Sequence, residues 1–335
     1  MASILSHISG AASVRTARGL FLVDRLLVPR REDQTPPSQI ERVLVAIPHW
    51  RPTGLSTDAK SSGTVDQRTS RLLECVNSLL GLGGTETSIF VFTNSPTLTT
   101  EHLSERSGAE VRLGAGPNLL GYRNSATGIT VVPWRPGRLY RHGFGLAWAH
   151  KALFKEALAE PAISHMVYLE DDMIFGRENL EYWLHGRTAL AATGLVPGFV
   201  RYETSGGERW LTDLKNPIGE PTHVVTTRDG RNWISMVNPY QALYVLDRPL
   251  AIDHFRRSPS RSRIRSRLRP HDDLASASHG PIYDDPPRGL NWRTVVPLKD
   301  HTIDPEALIE HSSANYVNDP TTDLATVRIS EVFHD

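Results

Sequence analysis

From residue 40 to about 170, short unbroken apolar runs alternate with longer stretches that carry apolar residues at helical spacing. Arg42-Val43-Leu44-Val45-Ala46-Ile47-Pro48 is such a run, stopped by proline, and it predicts a strand buried on both faces of a parallel sheet. A loop rich in Ser, Thr, Gly and Asp follows. Leu72, Val76, Leu79 and Leu80 then fall on one stripe of a helix that ends between Gly81 and Gly84. Ser88 to Phe92 is the next apolar strand and Gly128 to Pro133 a third. A helix from about Phe144 to Leu158, with Leu146, His150, Leu153 and Ala157 along one side, leads to a fourth strand, His165 to Leu169. A further helix spans roughly Arg177 to Ala192. Strand, helix, strand in this order is the opening of a doubly wound α/β domain.

Downstream the runs shorten. Pro197 to Glu203, Arg209 to Leu214 and Tyr240 to Leu246 read as strands, and Pro249 suits the first residue of a helix. Val224 to Thr227 and Asn232 to Val237 flank Asp229-Gly230, the signal of a hairpin with a primed turn. No internal repeat is visible. The expected organisation is a leader and linker over residues 1–39, then one catalytic unit over 40–335. Its parallel half covers about 40–176, and a mixed or antiparallel half covers about 177–335.

The chain's 335 residues can bury a large core, and 39% of them are hydrophobic. Lys+Arg and Asp+Glu are each 37, so no basic excess points to nucleic acid. Cys75 is the only cysteine, which excludes an intrachain disulfide and a cysteine-based zinc site and fits a cytoplasmic protein. No apolar run approaches the ~18 residues of a membrane span; the longest, from Leu20 to Val28, is broken by Asp24 and Arg25. The Ser-, Ala- and Arg-rich first thirty residues fit an interfacial amphipathic helix or a transit-like segment, but a frayed leader with one short helix is the preferred reading. The arginine-rich run Arg256 to Arg269 offers peripheral contact with anionic lipid, a phosphorylated acceptor or a donor diphosphate; more commonly such a run is a solvated surface segment. No aromatic platform accompanies it, so nucleic acid is not an expected partner.

The fourth strand runs straight into Glu170-Asp171-Asp172. Three adjacent carboxylates repel one another, and the end of a buried strand adds a desolvation cost. A cation removes both penalties, and carboxylate oxygen suits Mn²⁺ or Mg²⁺ shared with substrate phosphates. Ligands of open α/β sheets sit at the carboxyl ends of strands, which agrees. The plainer alternative makes Asp172 the N-cap of the next helix. Met173-Ile174-Phe175 continues the apolar run instead of starting a helix, which favours the metal.

An acidic motif closing an apolar strand after a nucleotide-binding half resembles the GT-A family of glycosyltransferases. The Glu-Asp-Asp form, followed by an apolar pair and a helix with Tyr182 and Trp183, is similar to the N-acetylglucosaminyltransferase I group. The resemblance spans roughly residues 40–320 in order of elements, and its specific part is the strand with its acidic turn. It implies a sugar transferred from a UDP- or GDP-sugar to a carbohydrate, lipid-linked or small-molecule acceptor. It implies Asp172 as direct metal ligand, with Glu170 and Asp171 facing the ribose, the metal's waters or the sugar. A histidine late in the chain is a further ligand of many members, and His311 matches by position; a capped helix end is the competing reading of that stretch. Asp272 and Asp273 resemble the acidic pair that supplies the base in inverting members, although they also suit a cap for the helix after them. Glu203 and Asp213, at ends of expected strands, are rivals for that role.

The nucleotide pocket is then expected at the ends of the first strands: Pro48, His49 and Arg51 after the first, Asn94 after the second, with Arg71 and Lys151 reaching in from helices. Lys151 reads equally well as a solvated lysine beside a core His150. Trp210 and Trp233 are sugar-stacking candidates, though core filling is the commoner fate of tryptophan. Two other readings remain: a nucleotidyltransferase or metal-dependent phosphohydrolase on a related scaffold, or a catalytically silent nucleotide-sugar-binding protein. The chain lacks a P-loop and a Gly-x-Ser-x-Gly elbow.

Overall fold

The structure, a computed structural model, describes residues 35–37, 40–50, 65–82, 86–95, 98–114, 127–134, 143–221, 223–257 and 273–333. Arg51, Asp272, the leader to residue 34 and residues 258–269 of the arginine-rich run lie outside the described residues, and the backbone alone describes Asp273.

In the first half, β1 (Arg42–His49) is followed by α1 (Val65–Leu80), β2 (Glu86–Thr93), α2 (Thr100–Ser107), β3 (Val111–Leu113) and β4 (Gly128–Pro133). A 3-10 turn, Gly143–Trp148, opens α3 (Ala149–Ala157), which leads to β5 (Ile163–Leu169). Then come β6 (Met173–Ile174), α4 (Arg177–Ala189), β7 (Val196–Pro197), β8 (Val200–Ser205), β9 (Glu208–Leu211), β10 (Val224–Thr226), β11 (Asn232–Ile234) and β12 (Leu243–Asp247). The chain continues through α5 (Arg248–Arg257), α6 (Asp273–Ser278), β13 (Thr294–Lys299), β14 (Thr302–Ile303), β15 (Leu308–His311) and β16 (Val327–Arg328).

The six-stranded main sheet has the order β12-β5-β1-β2-β4-β3. All its neighbours pair parallel except β12, which runs antiparallel to β5 with Tyr244 opposite Tyr168. Every residue of β5 is buried and so are six of the eight in β1, which is why their sequences are solid apolar runs without alternation. α1 lays Leu72, Val76 and Leu79, all fully buried, against this sheet, with Leu80 half-buried at the rim of the stripe. The chain winds outward from β1 through β2 and returns to its other side at β5. The carboxyl ends of β1 and β5 therefore flank a topological switch point.

The second half builds two smaller sheets. β10-β11-β13-β14 is antiparallel, with β7 parallel to β13; β16-β9-β8-β15-β6 is mixed. One buried cluster includes residues of both halves, from Val45 and Leu72 through Phe175 and Trp183 to Trp233 and Val296. This is the expected α/β class: a mostly parallel central sheet flanked by helices, then a mixed and antiparallel half.

Several details differ from the sequence reading. The β10–β11 turn is not primed: the Gly230 N–H donates to Thr227 O, and Gly230 alone in the turn has positive φ, +81°. That is a type I turn followed by a left-handed glycine, which needs only one such residue. Helix α2 and strand β3 were unexpected, because α2 buries Leu103 and little else and leaves almost no apolar stripe.

Candidate active site

At the end of β5 the chain turns sharply. The Glu170 N–H donates to Ala242 O on the lead-in to β12, and the Met173 N–H closes back on Glu170 O. The next two residues form β6, which pairs with β15 so that Met173 stands opposite His311. Ser312 fixes the junction, its N–H donating to Asp172 O at 2.8 Å and its hydroxyl donating to the same oxygen. Asp172 is thus not a helix cap. That place belongs to Gly176, whose N–H donates to Asn179 Oδ1. Nor is His311 at a helix end, since it closes strand β15.

The three carboxylates go to three different partners. Tyr240 donates its hydroxyl to Glu170 Oε1 at 2.6 Å. Asp171 Oδ2 lies 2.5 Å from His49 Nδ1 at the end of β1. Asp172 Oδ2 lies 3.0 Å from His311 Nε2. Asp171 and Asp172 keep 27% and 19% of their side-chain surface exposed, so the turn faces out from the end of the sheet. The mutual repulsion expected from the sequence is therefore relieved in part by the protein itself, and charge balance alone does not require a cation.

Burial pushes Glu170 up to about 7, and the charge of Asp172 adds to this; Arg201, Tyr240 and His311 oppose it. Burial works in the same direction on Asp172, but the charge and hydrogen bond of His311, with Arg201 and Ser313, hold its carboxyl well below the usual range. Burial disfavours a charged His311, yet Asp172 and Glu203 raise it to about 9. Glu203 Oε1 sits 2.6 Å from His311 Nδ1. An imidazolium between two carboxylates is the arrangement these directions describe.

Glu203 is fully buried on β8. Besides His311 it accepts the backbone N–H groups of Asn315, Tyr316 and Val317, so the loop after β15 wraps around its carboxylate. A base for an acceptor hydroxyl needs a free, reachable oxygen. Glu203 has neither, and its expected catalytic role is replaced by one of anchoring His311 and this loop. Its rival Asp213 binds Arg201 through two hydrogen bonds of 2.9 and 2.6 Å. The Arg201 guanidinium lies 4.6 Å from the ring centre of Tyr240 and 5.9 Å from that of Tyr316.

Of the residues expected to meet the nucleotide, His49, Glu170 and Asp171 come together at the switch point. Pro48 precedes His49 in β1, and Asn94 follows β2, two strands from the turn. Arg71 on α1 donates to Ser313 O at 3.0 Å, which places it on the loop beside His311. Arg68, one turn earlier on the same helix, was missed. It donates to Trp50 O, and the charges of Asp171 and Asp172 oppose the lowering that burial causes. The Arg68/Arg71 spacing on one helical face was its only sequence signal. Tyr240 and Arg201 carried no comparable signal as site residues. Lys151 does not reach the turn: it is buried and bonded to Tyr244 and His254. Trp233 is core, its indole N–H donating to Thr227 Oγ1. Trp210 is half-buried under the Arg328 guanidinium.

Among the described residues no three His, Cys, Asp or Glu side chains converge on a metal-sized point. Two groups meet, Asp172 and His311. Asp172 Oδ1 is buried and accepts no hydrogen bond from a described residue. A metal at Nε2 would displace the proton that His311 directs at Asp172, while the Glu203 carboxylate grips Nδ1, the support that metal-binding histidines commonly have. This set fits a divalent ion that takes the rest of its ligands from substrate oxygens and water.

No protein-family model and no curated protein matches the chain. Among solved structures it is similar to a provisionally named nucleotide-diphospho-sugar transferase from Desulfovibrio desulfuricans G20, at 10% identity and a TM-score of 0.26, over 49% of this chain and 57% of that one. It is also similar to residues 1–349 of S. aureus TarS, at 14% identity and a TM-score of 0.34, over 82% of this chain and 61% of that one. The chain thus spans less than two thirds of the length of either. At these scores the likeness carries no weight for function, and the reading below rests on the geometry of the site.

Proposed function

We infer that this chain is a metal-dependent glycosyltransferase of GT-A type, moving a sugar from a UDP- or GDP-sugar to a carbohydrate, lipid-linked or small-molecule acceptor. The observation that carries the reading is the Asp172–His311–Glu203 array at the switch point of the main sheet. Asp172 and His311 would hold Mn²⁺ or Mg²⁺, which neutralises the charge that grows on a departing diphosphate. Glu203 fixes the orientation of His311. His49 and Tyr240 fix the carboxylates of Asp171 and Glu170 at the end of the main sheet, where a nucleotide-sugar would lie. Arg71, which reaches from α1 to the loop that carries Ser313, is suited to the donor's phosphates. Glu203 being engaged, the Asp272–Asp273 pair remains the candidate for the base that takes the acceptor's proton. A cytoplasmic protein that touches membrane through its leader or its arginine-rich run is compatible with this reading; no helix among the described residues is long and apolar enough to cross a membrane.

The test is release of nucleoside diphosphate from a panel of UDP- and GDP-sugars with Mn²⁺. Turnover of one donor is expected, falling by about 100-fold or more in Asp172→Asn and by about 10- to 100-fold in Glu203→Gln. Undiminished turnover in Asp172→Asn would refute the assignment. Cleavage of nucleotides without a sugar would favour a phosphohydrolase.

A further inference from the structure

A second cluster of titratable side chains lies under the neighbouring edge of the main sheet, outside the metal array. His150 Nδ1 is 2.5 Å from Ala147 O, and His150 Nε2 is 2.6 Å from the Tyr244 hydroxyl. Lys151 Nζ is 2.8 Å from that hydroxyl and 3.3 Å from His254 Nε2, and His254 Nδ1 is 2.7 Å from Asp284 Oδ2. All five side chains are at most 6% exposed.

The proton positions follow from the acceptors. A carbonyl oxygen only accepts, so His150 carries its proton on Nδ1 and accepts at Nε2 from the Tyr244 O–H. The carboxylate of Asp284 likewise places a proton on His254 Nδ1 and leaves Nε2 as an acceptor. Lys151 then faces two acceptors, the Tyr244 oxygen and His254 Nε2. An uncharged amine has two N–H bonds and satisfies both; an ammonium brings a third N–H, for which no described residue supplies a partner. Burial agrees, lowering Lys151 to about 7 against the opposing charge of Asp284. The titratable and charged groups around it are His150 on its own helix, Tyr168 on β5, Tyr244 on β12, His254 on α5, Asp284, and Arg293, whose charge lowers His254.

The chain of contacts ends on a segment that touches the proposed site. Between Asp273 and Asp284, Ala277 packs on Ala147 and Trp148, and His279 stands edge-on to Tyr240, the donor to Glu170. Gly280 lies so close to Tyr244 that a Cβ would sit 2.3 Å from its ring. Asp284 on His254 is one polar fastening of this segment to α5.

We propose that Lys151, as an uncharged amine, is a positioning residue that seats the Asp273–Asp284 segment on the sheet edge, and that its protonation loosens the seat. The inference does not depend on the sugar-transfer reading. It is tested on the full chain by amide hydrogen exchange, corrected for intrinsic rates. Protection of the segment is expected to rise at least about tenfold from about pH 6.5 to 8.5 in the wild type. Lys151→Met should show no such rise. A wild type with the same protection at both pH values, or a rise that persists in the variant, would overturn the proposal. Should the variant not fold, ¹³C-labelled lysine in the wild type decides the matter. One of the five lysine signals should titrate near neutral pH; five ordinary titrations would end the proposal.

Discussion

Glu203 shows how one buried side chain can organise a site without taking part in chemistry. It binds His311 on one side and three backbone N–H groups of the 315–317 loop on the other, with no exposed surface. Glu203→Gln turns an all-acceptor carboxylate into a group that must point an NH₂ at one of these donors. A loss of about 2–4 kcal/mol is expected, seen as a lower urea midpoint with unchanged slope. An unchanged midpoint would mean that the anchor is dispensable. Lys151 makes the opposite case, a charge the fold disfavours. Its proton affinity is lowered from 10.5 to about 7 in the folded state, so between those values the unfolded chain holds the extra proton. This contribution is complete above 10.5 and is lost as pH falls to 7, where the deficit is on the order of a few kcal/mol. Lys151→Met should therefore gain on the wild type by more at pH 7 than at pH 9 in denaturant melts; a gap independent of pH would contradict the assignment. Neither role was legible in the sequence, since strand position singled out Glu203 as a base and helix position aimed Lys151 at the diphosphate. Only tertiary neighbours reveal that both are enclosed.

Elements were easier to read than side-chain roles. Strands buried on both faces announce themselves as solid apolar runs, and β1, β2, β4 and β5 lie where such runs fall. Two-residue strands such as β6 and β16 carry no pattern of their own and exist through their partners. β6 nonetheless brings the acidic turn to His311 by pairing Met173 with it. The segment after α6 is equally silent in sequence, yet it packs on β12 through a glycine whose φ is +47°. Gly280→Ala combines an unfavourable backbone with a collision against the Tyr244 ring, and a cost of at least about 2 kcal/mol is expected in thermal or urea melts. Wild-type stability in this variant would mean that the segment does not pack on β12 so closely.

Across the whole molecule, the order of strands explains why residues distant in sequence meet at one end of the main sheet. His49 ends β1, Glu170 follows β5, and Tyr240 precedes β12, three neighbouring strands of one sheet. The second half supplies His311, Arg201 and Glu203 through β15 and β8, which join the turn by way of β6. The acidic turn and its late histidine were visible in the sequence as candidates, but their 3.0 Å contact across 139 residues was not, because no local pattern encodes it. We propose that Asp172 and His311 hold a divalent cation that in turn holds a nucleoside diphosphate. Calorimetric titration of UDP and GDP into the full chain, with Mn²⁺ and without it, tests this directly for wild type and Asp172→Ala. Binding of one nucleotide that requires Mn²⁺ and disappears in Asp172→Ala is expected; equal binding without metal, or undiminished binding in the variant, would refute the metal site.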